Sequence, residues 1–178
     1  LPQLKVPSEE LAGGAYDEKL RWTVRKILDR EAPITEPLLL RRLTQCFGLT
    51  RAGARVQEKF GQILLGLHLP QTEQEGIRVY WAPEQDPEAY RGFRTSGQGD
   101  GKREAKDVPL EEGVNALCRI LSDQVSLSEE DLIREAAKLL GYTRMGTQVE
   151  AMICAALNRA LSLGRVSKST GGKWVLSE

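Results

Sequence analysis

A nine-residue stretch, Gly-Leu-Thr-Arg-Ala-Gly-Ala-Arg-Val at 48–56, returns at 141–149 as Gly-Tyr-Thr-Arg-Met-Gly-Thr-Gln-Val, and this echo constrains the chain more than any other feature. An ungapped shift of 93 positions superposes the two copies. The same shift pairs Ile27 and Leu28 with Ile120 and Leu121, Glu36 with Glu129, and Leu39 with Leu132. It also pairs Arg41 with Arg134, Leu64 with Leu157, and Trp81 with Trp174. Self-similarity at one fixed spacing means one structural unit used twice. At 178 residues the chain holds two such units of about 65 residues, each with a marginal core of its own.

Periodicity gives the content of a unit. In residues 16–30, Leu20, Val24, Ile27 and Leu28 recur at helical spacing, and Pro33 follows the end. Thr35 is placed to cap a second helix, with Glu36 and Pro37 in its first turn and Leu38, Leu39, Leu43 and Phe47 on its apolar face. Gly48 ends that helix. Thr50 is then expected to cap a third helix carrying Val56, Phe60, Ile63 and Leu64. Past Pro70, the polar run at 71–76 reads as a turn into a strand of Ile77, Val79 and Trp81, with Leu67–Leu69 as the partner strand. The second copy repeats the order, with Ser128 capping Glu129, Glu130 and Asp131, and a hairpin of 164–167 and 173–176. Three helices, a tight turn between the second and third, and a closing hairpin make the expected fold mainly α with small β-hairpins (α+β), a tandem winged-helix-like repeat. The expected divisions are a tail or docking arm at 1–15, a first unit at 16–83, a linker at 84–112 and a second unit at 113–178. The Gly-rich, charged stretch Ser96–Lys106 is expected to be a mobile loop, and Tyr90, Arg91, Phe93 and Arg94 to pack across the join between copies.

The formal charge is zero, distributed unevenly. Residues 18–83 hold eleven Lys and Arg against seven Asp and Glu, so the basic surface belongs to the first copy. Arg41, Arg42, Arg55 and Lys59 are expected to form either a basic strip beside the third helix, with Arg55 and Gln62 reaching base edges in a DNA groove, or a solvated helical face on which Glu58 balances Lys59. Arg51 and Arg144 each open a helix, where a cation is electrostatically misplaced. Either they contact phosphate, or they pair with Glu36 and Glu129; the joint recurrence of the charges favours pairing. The third helix of the second copy has Ala151, Cys154 and Ala155 where the first has Glu58, Gly61 and Gln62, so its face is expected to be buried against the first copy, a protein partner or a second subunit.

Catalytic and metal-binding patterns find no support. His68 is the sole histidine, no Cys-x-x-Cys accompanies it, and Gly101-Lys102 lacks the flanking residues of a phosphate-binding loop. Neither an enzyme activity, a cofactor nor a metal is expected. The odd set Cys46, Cys118 and Cys154 suits free thiols in a reducing cytoplasm. No run of 18 apolar residues is present, so no membrane span is expected. The opening Leu-Pro-Gln-Leu suggests a piece of a longer polypeptide.

Glu-Ala-Pro-Ile-Thr-Glu at 31–36, Arg41-Arg42, Gly-Leu-Thr-Arg-Ala-Gly at 48–53 and Tyr-Trp-Ala-Pro at 80–83 resemble the C-terminal domain of unknown function of very large bacterial helicase-like proteins. The resemblance covers most of residues 16–94 and implies an upstream superfamily-one helicase core and a nuclease-like domain. Thr35 stands where that family is expected to have histidine, so no imidazole role carries over. Together these readings point to an accessory nucleic-acid-binding module, with DNA and the rest of the parent polypeptide as partners. The alternative is a protein-interaction or dimerisation module built on the same folds.

Overall fold

The computed structural model describes residues 4–96 and 103–177, in two compact units, Leu1–Pro87 and Glu88–Glu178. The first unit comprises α1 (Ser8–Ala12), α2 (Asp17–Glu31), β1 (Ile34–Thr35), α3 (Glu36–Cys46), α4 (Ala54–Gly66), β2 (Gln71–Gln74) and β3 (Ile77–Tyr80). Its core is built from the apolar stripes the sequence marks: Leu20, Val24 and Ile27 of α2, Leu38, Leu39 and Leu43 of α3, and Val56, Phe60 and Ile63 of α4, all at most 2% exposed. The second unit comprises a 3-10 turn at Ala105–Asp107, α5 (Leu110–Gln124), β4 (Ser126–Leu127), α6 (Glu129–Leu139), α7 (Thr147–Ser162), β5 (Val166–Lys168) and β6 (Trp174–Leu176). The fold is mixed α and β, with seven α-helices and two small antiparallel sheets among the described residues.

Each sheet has three strands, in the order β1-β3-β2 and β4-β6-β5, where the sequence predicts two-stranded hairpins. The extra strand is the two-residue extended segment after the first helix of each unit. In the first unit the expected partner strand at Leu67–Leu69 is displaced by Gln71–Gln74, which pairs with β3 through a two-residue turn. Glu75 and Gly76 both take positive φ, 49° and 77°, as a tight hairpin of right-handed twist requires. β2 is polar on its exposed face and on its half-buried face alike, so its composition resembles a turn.

The helices keep the 93-residue spacing, α2 with α5 and α3 with α6, but the hairpins do not. Ile34 pairs with Tyr80, whereas its counterpart Leu127 pairs with Trp174. Trp174 therefore occupies the sheet position of Tyr80 and not that of Trp81, and a one-residue slip of this kind exchanges the faces of a strand. Trp81 lies just past β3, buried, with its indole N–H donating to Thr72 Oγ1 at 3.0 Å.

Residues 4–15 are not a free arm. Leu4 N–H donates to Cys46 O at 2.8 Å, Val6 N–H donates to Phe47 O at 3.3 Å, and Leu11 of α1 is fully buried against the core. A unit this small gains a substantial share of its apolar cover from such a segment. The second unit uses the preceding chain in the same way, which corrects the expected linker at 84–112: Phe93, Ala105, Val108 and Leu110 pack on its core. Ser96 N–H donates to Leu140 O at 2.5 Å, so the described ends of the expected mobile loop are fixed. Residues 97–102, with the Gly101-Lys102 pair, lie outside the described residues.

These entering segments explain the first glycine of the repeated motif. Gly48 has φ 68° and Gly141 φ 86°. A Cβ on Gly48 would lie 2.8 Å from Leu4 O, and one on Gly141 would lie 3.1 Å from both Ser96 N and Ser96 O. Each glycine thus terminates a helix and leaves room for the chain crossing it.

A second anchor is a buried carboxylate. Glu112 of α5 is 0% exposed and accepts from Arg94 N–H at 2.8 Å, Arg94 Nη2 at 2.6 Å, and Arg103 Nη1 and Nη2 both at 2.9 Å. Arg103 Nη2 also donates to Arg94 O at 2.7 Å. Beside this cluster, Asn115 Nδ2 donates to Tyr90 O and Gly92 O, and Arg165 Nη1 donates to Asn115 Oδ1 at 2.7 Å. Residues 90–94 and Arg103 are therefore clamped onto α5 through Glu112 and Asn115.

Two helix starts contrast. Ser128 Oγ accepts from Asp131 N–H at 3.1 Å, the expected cap of α6. Thr35 makes no such bond to α3, and its Oγ1 is buried without a hydrogen-bond partner among the described residues.

Three stability measurements by chemical denaturation check these points. Gly48→Ala is expected to destabilise the first unit by at least about 1–2 kcal/mol from the left-handed backbone alone, while Gly61→Ala, in open space on α4, gains about 0.5–1 kcal/mol. Glu112→Gln is expected to cost the second unit about 3–5 kcal/mol by leaving two arginines without their shared partner. Thr35→Val, nearly isosteric, is expected to be neutral or to stabilise by about 1 kcal/mol because an unsatisfied hydroxyl is removed.

Candidate nucleic-acid interface

The α3–α4 turn and the start of α4 position the residues of interest. α4 begins at Ala54 with Gly53 at its N-cap (φ −72°, ψ 170°), later than the expected Thr50 cap. The intervening loop is held from the helix side: Gln57 Nε2 donates to Ala52 O at 3.0 Å. Arg51 accordingly lies in the loop ahead of the helix, and Arg55 in its first turn. No side chain caps α4, so the positive end of its dipole faces this loop without a local anionic group in the first turn.

The expected pairing of Arg51 with Glu36 does not form. Glu36 pairs instead with Arg78 Nε at 2.9 Å. In the second unit Glu129 takes Lys168 Nζ at 3.3 Å and the Trp174 indole N–H at 3.1 Å, not Arg144. The reason is the third strand of each sheet. Thr35 pairs with Val79 and Leu127 with Trp174, which brings the acid beginning the next helix beside the hairpin. Each repeated acid therefore finds a cation on its hairpin, but at different positions, Arg78 on the middle strand β3 and Lys168 on the outer strand β5. Tyr80, close by, has its phenol pushed above the usual range by burial, reinforced by the Glu36 carboxylate.

The expected basic strip is also divided. Arg42 Nε donates to both Glu31 oxygens at 3.0 and 3.1 Å, and its side chain is only 12% exposed. Lys59 Nζ lies 3.2 Å from Asp17 Oδ1, with its side chain 14% exposed. Glu31 and Asp17 stand at opposite ends of α2, so these two cations fasten α3 and α4 to α2. Arg41 and Gln62 are exposed. Arg51 and Arg55 are exposed and have no ion-pair partner among the described residues.

Arg51 and Arg55 border one open groove together with Gly48 and Thr50, and its far wall is Ser8 and Glu9 of α1. Sequence reasoning misses Ser8 and Glu9, because five residues of helix show no period. It also passes over Trp22 of α2, which is 41% exposed with Lys19 Nζ 4.3 Å from its ring centroid. The second unit has a groove at the corresponding residues, lined by Gly141, Tyr142, Thr143, Arg144 and Gln148, with Arg103 and Glu104 opposite. Gln148 replaces Arg55 there, and burial raises the Tyr142 phenol.

Within its own unit, α7 leaves Ala151 exposed and Cys154 and Ala155 half-buried. The helix packs through Met152, Ile153, Ala156, Leu157 and Ala160 instead. The aromatic cluster expected to pack between copies belongs to the second unit, with Phe93 on its core and Arg91 Nη1 donating to Glu88 O and Tyr90 O.

The three cysteines are free, and burial raises each thiol, which lowers the thiolate fraction available for nucleophilic chemistry. Among the described residues no group of three His, Cys, Asp or Glu side chains is placed to hold a metal ion, and no helix is long and apolar enough to cross a membrane.

Residues 9–58 match a family described as a protein of unknown function (DUF3320), a span running from α1 through the Arg51 loop into the first turn of α4. No curated protein and no solved structure matches the chain. What the chain is similar to, over the elements that build its first groove, is thus a domain whose own function is unassigned.

Proposed function

We propose that this chain is an accessory nucleic-acid-binding module, with DNA as the ligand, acting within a larger helicase-like polypeptide and carrying no catalytic centre itself. The observation that carries the reading is the pair Arg51 and Arg55: two exposed arginines with no ion-pair partner among the described residues, four positions apart, flanking a helix start with no side-chain cap. Guanidinium groups beside free backbone N–H groups suit phosphate oxygens. The element order helix, short strand, helix, helix and hairpin, with the short strand against the last one, supports a winged helix in each unit. In that fold α4 is the helix that enters the major groove, with Arg55 and Gln62 on its exposed side and Arg51 and Arg41 toward the backbone. Arg42 and Lys59 act in this reading as supports for the helices and not as contacts.

The zero net charge limits affinity, since nucleic-acid binding draws mainly on phosphate neutralisation. Attachment to a polypeptide already on DNA removes that limit through effective concentration. The resemblance of 31–36, 48–53 and 80–83 to the C-terminal domain of helicase-like proteins is the support for such a parent. A cytoplasmic setting follows from the same reading.

Fluorescence anisotropy of labelled duplex, forked and single-stranded DNA across a salt series tests this. Binding is expected to weaken as salt rises, and Arg51→Ala/Arg55→Ala is expected to reduce the log–log salt slope by about 2, while Arg134→Ala in the second unit leaves it unchanged. No binding at low salt, or equal binding by the double variant, rejects the interface.

A further inference from the structure

The second unit carries a groove that the nucleic-acid reading does not use. It lies between α6 and the start of α7, has a volume of about 530 Å³, and is lined by Glu129, Glu130, Ile133, Arg134, Met145 and Glu150. Its floor is apolar: Ile133 is half-buried, and Met145, in the turn between the helices, is 44% exposed. Exposed Ala151 follows Glu150 along α7.

The rim is acidic, and the balance of pairing leaves it so. Arg134 is held by Asp131, and Glu129 by Lys168 and the Trp174 indole. Glu130 and Glu150 are exposed and have no ion-pair partner among the described residues. At the equivalent positions of the first unit stand Pro37 and Gln57, with Leu40 and Ala52 for Ile133 and Met145. The uncompensated acids and the exposed methionine are therefore features of the second unit alone. Two carboxylates flanking the face equivalent to the proposed reading helix repel phosphate and attract Lys or Arg. A flexible, polarisable methionine over an aliphatic floor adapts to apolar side chains of varied shape.

We infer that this groove is a docking site for a short amphipathic segment of a partner protein, its apolar side chains seated on Ile133 and Met145 and its flanking Lys or Arg side chains facing Glu130 and Glu150. The mode is a segment in a groove, with electrostatics choosing the partner and apolar contact holding it. The inference is independent of the nucleic-acid reading, since it uses residues of the other unit.

The test titrates the ¹⁵N- and methyl-labelled chain with a synthetic 14-residue amphipathic peptide of Leu and Lys, and with its Leu and Glu counterpart. The Lys peptide is expected to shift the resonances of Ile133, Met145, Glu150 and Ala151, and the Glu peptide to leave them unchanged. Glu130→Lys/Glu150→Lys is expected to weaken the Lys peptide by about tenfold or more, and the neutral Glu130→Gln/Glu150→Gln gives an intermediate loss should reversal disturb the fold. Shifts centred elsewhere, or affinity indifferent to these substitutions, overturn the assignment. Sedimentation of the free chain decides the occupant: a dimer dispersed by Glu130→Lys/Glu150→Lys makes a second copy of the chain the ligand and overturns the foreign segment.

Discussion

Both units depend on one crossing, in which the chain entering a unit passes over the C-terminal end of its second core helix and hydrogen-bonds there. Leu4 meets Cys46 O, and Ser96 meets Leu140 O. The crossing excludes a side chain at Gly48 and crowds one at Gly141, and both glycines supply that space with the positive φ that ends the helix. One residue thus satisfies a stop and a contact together. The consequence extends outward: the crossing places α1 beside the start of α4 and the Ala105–Asp107 turn beside the start of α7, and these neighbours create the two grooves. The repetition of glycine in the motif is architectural. The repetition of arginine is not, because Arg51 and Arg144 are exposed and have no ion-pair partner among the described residues.

From a shared plan the units solve packing differently. In the second unit Gly113 of α5 meets Ala156 of α7 so closely that a Cβ on the glycine would lie 2.6 Å from the alanine methyl. The first unit has Leu20 and Ile63 at these positions, both buried. Large side chains there require the first and third helices to keep a separation that small ones remove. The second unit compensates for its smaller side chains by drawing more preceding chain onto α5, fixed by Glu112. A buried carboxylate with two arginines adds little net stability over an apolar contact, but it admits one arrangement of the segment and penalises others.

The sequence states the helices plainly because each has a stripe, a cap or a stop, and Leu20, Leu39 and Phe60 fall where the 3.6-residue period places them. It states β2 poorly, because Gln71–Gln74 puts polar side chains on its half-buried face as well as its exposed one and so has no apolar alternation to read. It conceals α1, whose single fully buried Leu11 makes no pattern. The site is harder still. Whether a surface cation is free depends on which acid tertiary packing delivers to it. Arg42 to Glu31 spans 11 positions and Lys59 to Asp17 spans 42, with no local signal for either. The Glu36–Arg78 pair follows from strand pairing, and two residues of β1 are too few to show a strand period.

The same dependence turns the charge balance from a weakness into a selection rule. An excess of four cations in residues 18–83 is too thin to describe a binding face as a whole. Once Arg42, Lys59 and Arg78 are assigned to Glu31, Asp17 and Glu36, however, what is left on the loop and first turn of α4 is a local surplus of Arg51 and Arg55 beside a helix dipole of the same sign. Like-signed groups gathered without an ion-pair partner among the described residues carry a small electrostatic penalty, even with Glu9 on the far wall of the same groove. An external anion relieves it, and phosphate does so with the geometry that guanidinium groups match.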